Sequence, residues 1–251
     1  MSDESANFRE VSQVLRMDAA LSSQVLRVAN SALLGCRYEI ASILQALFVL
    51  GADRLRDIAV TVAIKNYMGH GDDSFLHRAW RHNLATALWC ETLAEHCGID
   101  RPTAYTAGML HDIGRLALLK LFPREYSAFM DQAITGDLDI LEDERKLCDA
   151  DHCQIGESLA KSWKFPPVLQ DVIGNHHCEV TRESPRPRLL VQAACIAASV
   201  SGFQAVGSEP AWDSSRIDRL LPPGSSAKRL DYQEMLDAVA LKLNQTECSL
   251  L

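Results

Sequence analysis

The chain has 251 residues, enough for one large domain or two small ones, and its 47% hydrophobic and 23% charged residues are ordinary for a globular protein. The net charge is −8 at pH 7, and the isoelectric point is about 5.5. This acidic balance argues against the basic face that nucleic-acid binding needs and against electrostatic docking on an anionic membrane, so we expect neither partner.

Apolar residues recur with helical spacing along nearly the whole chain, and segments that alternate like strands are scarce. The pattern therefore predicts an all-α fold. Ser42 and Ser74 can cap helix starts, and Gly51 can end a helix. The predicted helices run over residues 8–17, from 18 to a break at Asn30, over 42–50, 53–68 and 74–97, from Pro102 towards Gly114, and over 116–122, 138–148, 151–163, 167–177, 188–200 and 232–243.

A polar stretch at residues 69–73 separates two groups of predicted helices. We place a boundary there, which gives an N-terminal helical lobe over residues 1–72 and a second helical lobe over 73–201. Residues 202–251 are expected to form a loop-rich segment, mainly at 202–226, that closes with the last helix.

The cellular compartment is inferred from the eight cysteines and from the hydropathy of the chain. No two cysteines form a CxxC pair, and residues 1–10 are polar and acidic, unlike a signal peptide. The longest apolar runs, such as 40–50, are too short to cross a bilayer. We therefore expect reduced thiols and a cytoplasmic protein.

Histidines are concentrated where apolar residues recur at helical spacing in the second half of the chain. His82 shares a predicted helix face with Trp89, and His152 shares one with Leu159, so these side chains are expected to point into the core. A buried imidazole needs partners for both ring nitrogens, and several imidazoles beside a carboxylate can be satisfied by a metal ion. The five candidates are His82, His111, His152, His176 and His177, whereas His70, His77 and His96 are expected at the surface.

The carboxylate is expected from the adjacent pair His111 and Asp112. Neighbours on a helix project about 100° apart, so both side chains can flank one point in a cleft. We expect Gly114 to let the chain change direction after the pair. The residues alone leave two readings open, a metal site or a set of hydrogen-bonded core histidines.

Several ordered motifs resemble one protein family. Residues 107–115 (AGMLHDIGR), 152–160 (HCQIGESLA) and 163–177, with its WKFP and IGNHH segments, resemble motifs of the HD superfamily of metal-dependent phosphohydrolases. Residues 17–32 (MDAALSSQVLRVANSA) and 43–55 resemble the HDOD family within that superfamily. The resemblance covers roughly residues 8–200.

The resemblance implies an all-helical fold in two lobes and a role as a bacterial signal-transduction output module that is usually not catalytic. Signalling proteins are the expected partners, and a small phosphorylated ligand is a further one. The pocket would hold one or two divalent ions (Fe, Mn, Zn or Mg). The metal ligands would be His82, His111, Asp112, His152, His176 and His177.

The chain departs from the catalytic pattern of the superfamily at several positions. Cys195 stands where a late Asp is expected, and we interpret it as a core cysteine. Arg115 stands where a Lys often follows the His-Asp pair, and Arg78 replaces an acidic residue one turn before His82. Cys178 follows His177 in place of a GYP stretch. These departures argue against a dinuclear site for cyclic dinucleotides.

Two alternatives to a signalling module remain open. In the first, the chain is a metal-dependent phosphohydrolase acting on a nucleotide or other phosphoester, with Asp112 and Arg115 as catalytic residues and Arg115 offsetting charge on phosphate. In the second, a structural zinc ion is bound by Cys148, His152, Cys153 and Cys178, although this spacing fits no zinc-finger pattern.

Overall fold

The structure, a computed structural model, describes residues 19–30, 40–68, 74–135, 138–206, 213–225 and 230–250. Within these ranges every regular element is a helix, which confirms the predicted all-α fold. The helix predicted over residues 8–17 lies outside the described residues. The helices are α1 (Ala19–Ala29), α2 (Ile43–Met68), α3 (Ser74–Ala94), α4 (Arg101–Leu110), α5 (Ile113–Leu121), α6 (Pro123–Thr135), α7 (Ile140–Cys148), α8 (His152–Ser162), α9 (Pro167–Asn175), α10 (Arg186–Val200), α11 (Ser214–Leu220) and α12 (Tyr232–Leu250).

The chain divides into two compact units. One comprises the described parts of Met1–His70 and Ala240–Leu251, and the other comprises those of Gly71–Val239. All the candidate site residues belong to the second unit. None of the described helices combines the length and the hydropathy that crossing a membrane would require.

Local sequence signals account for several helix limits. Gly51 adopts a φ of 81° and kinks α2 at the break predicted between residues 50 and 53. The Asp100 carboxylate caps α4 by accepting a hydrogen bond from the Thr103 backbone N–H. Asp151 and Gln154 form a reciprocal capping box that fixes the start of α8.

Some limits differ from the predictions. Helix α11 lies in the segment expected to be loop-rich. The sequence does not predict it because seven residues are too few to show a clear helical period. Helix α12 continues to Leu250 rather than ending near residue 243. Helix α9 ends at Asn175, so His176 and His177 follow the helix instead of belonging to it.

The core of the second unit is built around α3, whose residues Leu84, Trp89 and Leu93 are fully buried. Helix α3 packs against α4 and α10, α5 packs against α8, and α8 packs against α9. These contacts bring the ends of α4, α8 and α9 to the same region as the middle of α3.

The expected role of Gly114 is wrong in one respect. The chain turns at His111 and Asp112, and Gly114 already lies within α5. A Cβ atom at Gly114 would lie 1.8 Å from the backbone oxygen of His152. The glycine is therefore required by the close approach of α5 and α8, and not by the turn.

Candidate metal centre

The predicted site residues come from different elements of the second unit. His82 lies on α3, His111 and Asp112 form the turn between α4 and α5, and His152 is the first residue of α8, while His176 and His177 directly follow α9. The side chains of the first five are buried, each residue being at most 4% exposed, whereas His177 is exposed. The histidine His77 is exposed as predicted, His96 is half-buried, and His70 lies outside the described residues.

Asp112 lies at the middle of the group. Its Oδ1 atom is 3.1 Å from Nε2 of His176 and 3.3 Å from Nε2 of His152. Those two Nε2 atoms are 3.4 Å apart. Its Oδ2 atom accepts a hydrogen bond from Nε of Arg115 at 2.8 Å and lies 3.8 Å from Nε2 of His111.

The four buried imidazoles are oriented in the same way. In each ring Nδ1 faces an oxygen atom that can only accept a hydrogen bond, so Nδ1 carries the proton and donates it. In the neutral ring, Nε2 then carries a lone pair that can accept a hydrogen bond or bind a metal. The acceptors are the backbone oxygen of Phe203 for His82 (2.7 Å), that of Gly108 for His111 (2.7 Å), Oε2 of Glu144 for His152 (2.6 Å) and the backbone oxygen of Ile173 for His176 (3.1 Å).

Burial favours the neutral state of three of these rings, those of His82, His111 and His152. It lowers the pKa of His111 to about 3, and it also lowers the pKa values of His82 and His152. Burial alone would raise the pKa of Asp112, but the adjacent Arg115 guanidinium holds it well below its usual range. The centre therefore contains an ionised carboxylate surrounded by imidazoles that present lone pairs.

This arrangement fits a cation. Asp112 Oδ1, His152 Nε2 and His176 Nε2 are all acceptors, and in a buried site their close approach is repulsive unless a positive charge lies between them. Nε2 of His111 is buried and has no hydrogen-bond partner among the described residues. Donors around a tetrahedral zinc ion are about 3.3 Å apart, close to the separations at Asp112. Metal-bound histidines in general donate their other N–H group to a carbonyl or carboxylate, as these do.

The candidate donors form two groups. In the first, the donor atoms of Asp112, His152, His176 and His177 lie within 4.8 Å of one another. In the second, those of His82, His111 and Cys195 lie within 4.8 Å of one another. The structure thus brings all six predicted metal residues together, and their role as ligands stays a prediction.

Arg115 is enclosed in the same network. It is 3% exposed, and its Nη1 atom lies 3.4 Å from Oε1 of Glu144, while its Nε atom pairs with Asp112. Burial opposes the charge of the guanidinium, but Asp112 outweighs burial and raises the pKa of Arg115. The charged head of Arg115 is therefore held inside the protein by two carboxylates.

Glu144 is a site residue that the sequence reasoning missed. It is fully buried on α7, where its Oε2 atom accepts hydrogen bonds from Nδ1 and the backbone N–H of His152 at 2.6 and 2.9 Å. Its Oε1 atom accepts a hydrogen bond from the Tyr126 hydroxyl at 2.7 Å. The available signal was a carboxylate on the apolar stripe that Leu141 and Cys148 mark on α7.

Cys195 belongs to a group of candidate metal donors, although the sequence analysis interprets it as a core cysteine. Cys195, on α10, places Sγ 3.5 Å from Nε2 of His82, and burial raises the pKa of its thiol to about 12. The zinc site considered from Cys148, Cys153 and Cys178 with His152 is wrong, because these cysteines belong to neither group of metal donors among the described residues. The Sγ atom of Cys153 lies 3.9 Å from Nδ1 of His176, on the protonated side of the ring.

The model of the HDOD domain family matches residues 1–179. The chain belongs to the HDOD family. Solved structures with a similar fold include an HDOD domain protein of unknown function from Geobacter sulfurreducens, at 22% identity and a TM-score of 0.65, with 97% of this chain and 85% of that chain covered. Another is the MmoQ response regulator from Methylococcus capsulatus, at 23% identity and a TM-score of 0.53, with 91% and 89% covered.

Curated relatives match only part of this HDOD chain. Ribonuclease Y of Desulfotalea psychrophila is 30% identical over 121 residues, which are 48% of this chain and 18% of that protein. The chain spans a third or less of the length of the first curated relatives that it matches. At these identities, the solved structures establish the fold and the family model establishes the family.

Proposed function

We propose that this HDOD domain is a signalling module in which the first donor group holds one structural divalent metal ion, and that it acts by binding a protein partner or a small ligand. One observation carries the proposal: Asp112, His152, His176 and His177 offer four protein donors around one point. A metal ion held by four protein donors is in general structural, whereas catalytic zinc keeps a position open for water or substrate.

The position of Arg115 also supports a role without catalysis. A residue that stabilises a reacting phosphate must reach it, but Arg115 is 3% exposed, and its Nε and Nη1 atoms contact Asp112 and Glu144 inside the protein. Arg115 would have to move out of this buried network to contact a substrate. The likeness to the MmoQ response regulator supports a place in signal transduction.

The second candidate is a metal-dependent phosphohydrolase, which the ribonuclease Y relatives favour because their name denotes cleavage of a phosphodiester. A bound divalent ion would supply a water that is acidic near neutral pH and a positive charge for phosphate. In that case the ion would be held by Asp112, His152 and His176, and Arg115 would contact the phosphate. The acidic net charge of the chain disfavours RNA as its substrate.

Metal content tests the ion that both candidates require, and turnover separates the two candidates. Protein purified without chelator should contain metal by elemental analysis, and Asp112→Ala should lose it, whereas Asp131→Ala, which removes an exposed carboxylate of α6, should keep it. With Mn, Fe or Mg present, the wild type should not hydrolyse a generic phosphodiester or nucleotides. Turnover that Asp112→Ala abolishes and Asp131→Ala leaves intact would instead establish the phosphohydrolase.

A further inference from the structure

A cavity of about 820 Å³ lies in the second unit and has no role in the function proposed above. Its walls come from the segment that follows His177, from α10, from α11 and from the turn after α11, and none of the residues that line it belongs to either group of candidate metal donors. Sites for small molecules are in general concave, apolar in most of their lining and about 300 to 1,000 Å³ in volume. The cavity is therefore large enough for a small organic ligand.

The lining of the cavity combines apolar side chains with two cationic residues. Leu189 is buried, and Leu220 and Leu221 are half-buried, so together they offer an apolar floor. Arg182 and Arg219 also line the cavity, and both are exposed. A ligand that covers the floor gains free energy by removing apolar surface from water, and a negative group on the same ligand would be attracted to the arginines.

Arg182 differs from the two arginines that follow it in the sequence. Arg188 forms an ion pair with Asp171, and Arg186 donates a hydrogen bond to the backbone oxygen of Pro223 at 3.0 Å. Arg182 has no hydrogen bond or ion pair with another described residue. Its guanidinium is therefore available to a ligand, whereas the other two already serve the fold.

Arg219 and its neighbour Asp218 set the charge that α11 brings to the cavity. Arg219 likewise has no hydrogen-bond or ion-pair partner within the described part of the chain. Asp218 accepts a hydrogen bond from the Tyr232 hydroxyl at 2.6 Å, which occupies one of its carboxylate oxygens. The lining thus carries two cationic residues and one anionic residue, in a chain whose net charge is −8. A guanidinium can donate two parallel N–H groups to a phosphate, so this local positive excess favours a phosphate group.

Hydrogen bonds hold the segment that carries Arg182 in place. Nε2 of Gln192, on α10, donates to the backbone oxygen of Cys178 at 2.8 Å. The backbone N–H of Thr181 donates to Oγ of Ser184 at 3.0 Å, which fixes the turn around Arg182. A site that is already formed loses less free energy on binding than one that the ligand must order. The wall is thus formed before any ligand arrives.

We propose that this cavity binds a small organic phosphate, with Arg182 and Arg219 contacting the phosphate and the leucine floor contacting an apolar or aromatic group of the same molecule. The inference goes beyond the proposed function, because it assigns a ligand site that requires no metal ion. Inorganic phosphate would leave the floor uncovered, and a neutral apolar molecule would leave both guanidinium groups unpaired. Each should therefore bind more weakly than a molecule that carries both parts.

Calorimetric titration with naphthylmethylphosphonate tests the site. This probe joins a phosphate-like anion to an aromatic group through a carbon–phosphorus bond, so a phosphohydrolase would not turn it over. The full chain, as purified, should bind the probe saturably. Inorganic phosphate and naphthol should each bind at least about tenfold more weakly, because each lacks one of the two parts. Raising the ionic strength should weaken binding of the probe, since salt screens exposed charges.

Variants without one or both guanidinium groups locate the binding. Arg182→Gln and Arg219→Gln should each raise the dissociation constant of the probe at least about threefold, and the double variant should raise it at least about tenfold. Arg216→Gln is the matched control, because it removes an exposed arginine of α11 that does not line the cavity, and it should leave the dissociation constant unchanged.

Two further measurements separate this site from the proposed metal centre. The three arginines are exposed, so the variants should keep the melting temperature of the wild type. Elemental analysis should find the same metal content in the double variant as in the wild type, so that loss of probe binding is not loss of the ion. Absence of saturable binding, binding that the double variant retains in full, an equal loss in Arg216→Gln, or naphthol that binds as tightly as the probe would each overturn the proposal.

Discussion

At the scale of single residues, the balance of buried charge explains why the centre favours a cation. Asp112 and Glu144 are buried carboxylates, and both contact the single guanidinium of Arg115. Burial keeps the imidazoles of His82, His111 and His152 from ionising readily, since it lowers their pKa values. Two negative charges therefore face one positive charge, and a bound divalent ion would reverse this deficit.

Glu144→Gln tests the residue that positions His152. The substitution would remove the charge opposite Arg115. The amide has a single acceptor oxygen, so it could accept a hydrogen bond from His152 or from Tyr126 but not from both. We expect the free energy of unfolding to fall by about 3 to 5 kcal/mol in chemical denaturation. The affinity for metal at the first donor group should fall about 10- to 100-fold, because the Glu144 carboxylate orients the His152 ligand.

Glu142→Gln is the matched control, because this residue lies on the same helix and its ion pair with Arg145 is exposed to solvent. It should change stability by less than about 1 kcal/mol and leave metal affinity unchanged. If Glu144→Gln binds metal as tightly as the control does, Glu144 has a purely structural role.

The site could be predicted from the sequence only in part. The sequence indicates His111 and Asp112 because they are an adjacent imidazole and carboxylate, and it indicates His152 because that residue shares a predicted helix face with Leu159. Glu144 was missed because it is one of several acidic residues on α7, and only the fold shows which of them is buried. Cys195 was interpreted as a core residue because its distance to His82 depends on how α10 packs on α3.

At the scale of elements, the sequence predicts the long helices because apolar residues recur along each of them at helical spacing. The short helix α11 was missed, since it depends on the Asp213 cap and on packing against α10 more than on its own pattern. The close contact of α5 with α8 was also not predictable. Gly114 and Gly156 allow it, but a glycine in a sequence does not show which backbone approaches it.

Gly114→Ala tests that contact. The added Cβ would meet the backbone oxygen of His152 at 1.8 Å and the backbone nitrogen of Gly156 at 2.9 Å, so the two helices would have to separate. We expect a loss of at least about 3 kcal/mol in unfolding free energy, together with weaker metal binding, because His152 would move away from Asp112. Equilibrium denaturation and a metal titration measure the two effects.

Gly174→Ala serves as the comparison within the same unit. Its Cβ would meet Cγ and Cβ of Glu157 at 2.9 and 3.1 Å, a milder approach than the 1.8 Å contact with backbone at Gly114. The substitution should cost clearly less than Gly114→Ala, since alanine is also favoured over glycine in a helix by up to about 1 kcal/mol. Equal effects of the two substitutions would contradict the proposed contact between backbones.

Leu84→Asp tests the placement of α3 at the centre of the second unit. Leu84 is fully buried, so the substitution would bury a carboxylate without a partner. We expect a loss of more than about 4 kcal/mol, measured as a large fall in melting temperature or as failure to fold. His77→Asp changes an exposed position of the same helix and should stay within about 0.5 kcal/mol. An unchanged melting temperature for Leu84→Asp would show that α3 is misplaced.

At the scale of the whole molecule, the residues of the first donor group come from segments that are distant along the chain. Asp112 precedes α5, His152 begins α8, and His176 follows α9, so one ion would cross-link three helices of the second unit. A ligand that binds only the folded state stabilises it by mass action. Metal occupancy would then set how readily these helices open, which is the kind of difference that a signalling module can pass to a partner.

Removing metal with a chelator should therefore lower the melting temperature, and returning it at 100 times its dissociation constant should restore about 2.7 kcal/mol of stability. Hydrogen exchange followed by mass spectrometry should show the largest gain in protection in α5, α8 and α9. Helix α11 supplies no donor and is the internal reference. The melting temperature and the exchange of Asp112→Ala should not respond to metal, because this variant lacks the carboxylate oxygen next to Nε2 of His152 and of His176. Identical melting and exchange with and without metal would mean that the centre does not couple occupancy to folding, and a signal would then have to enter elsewhere.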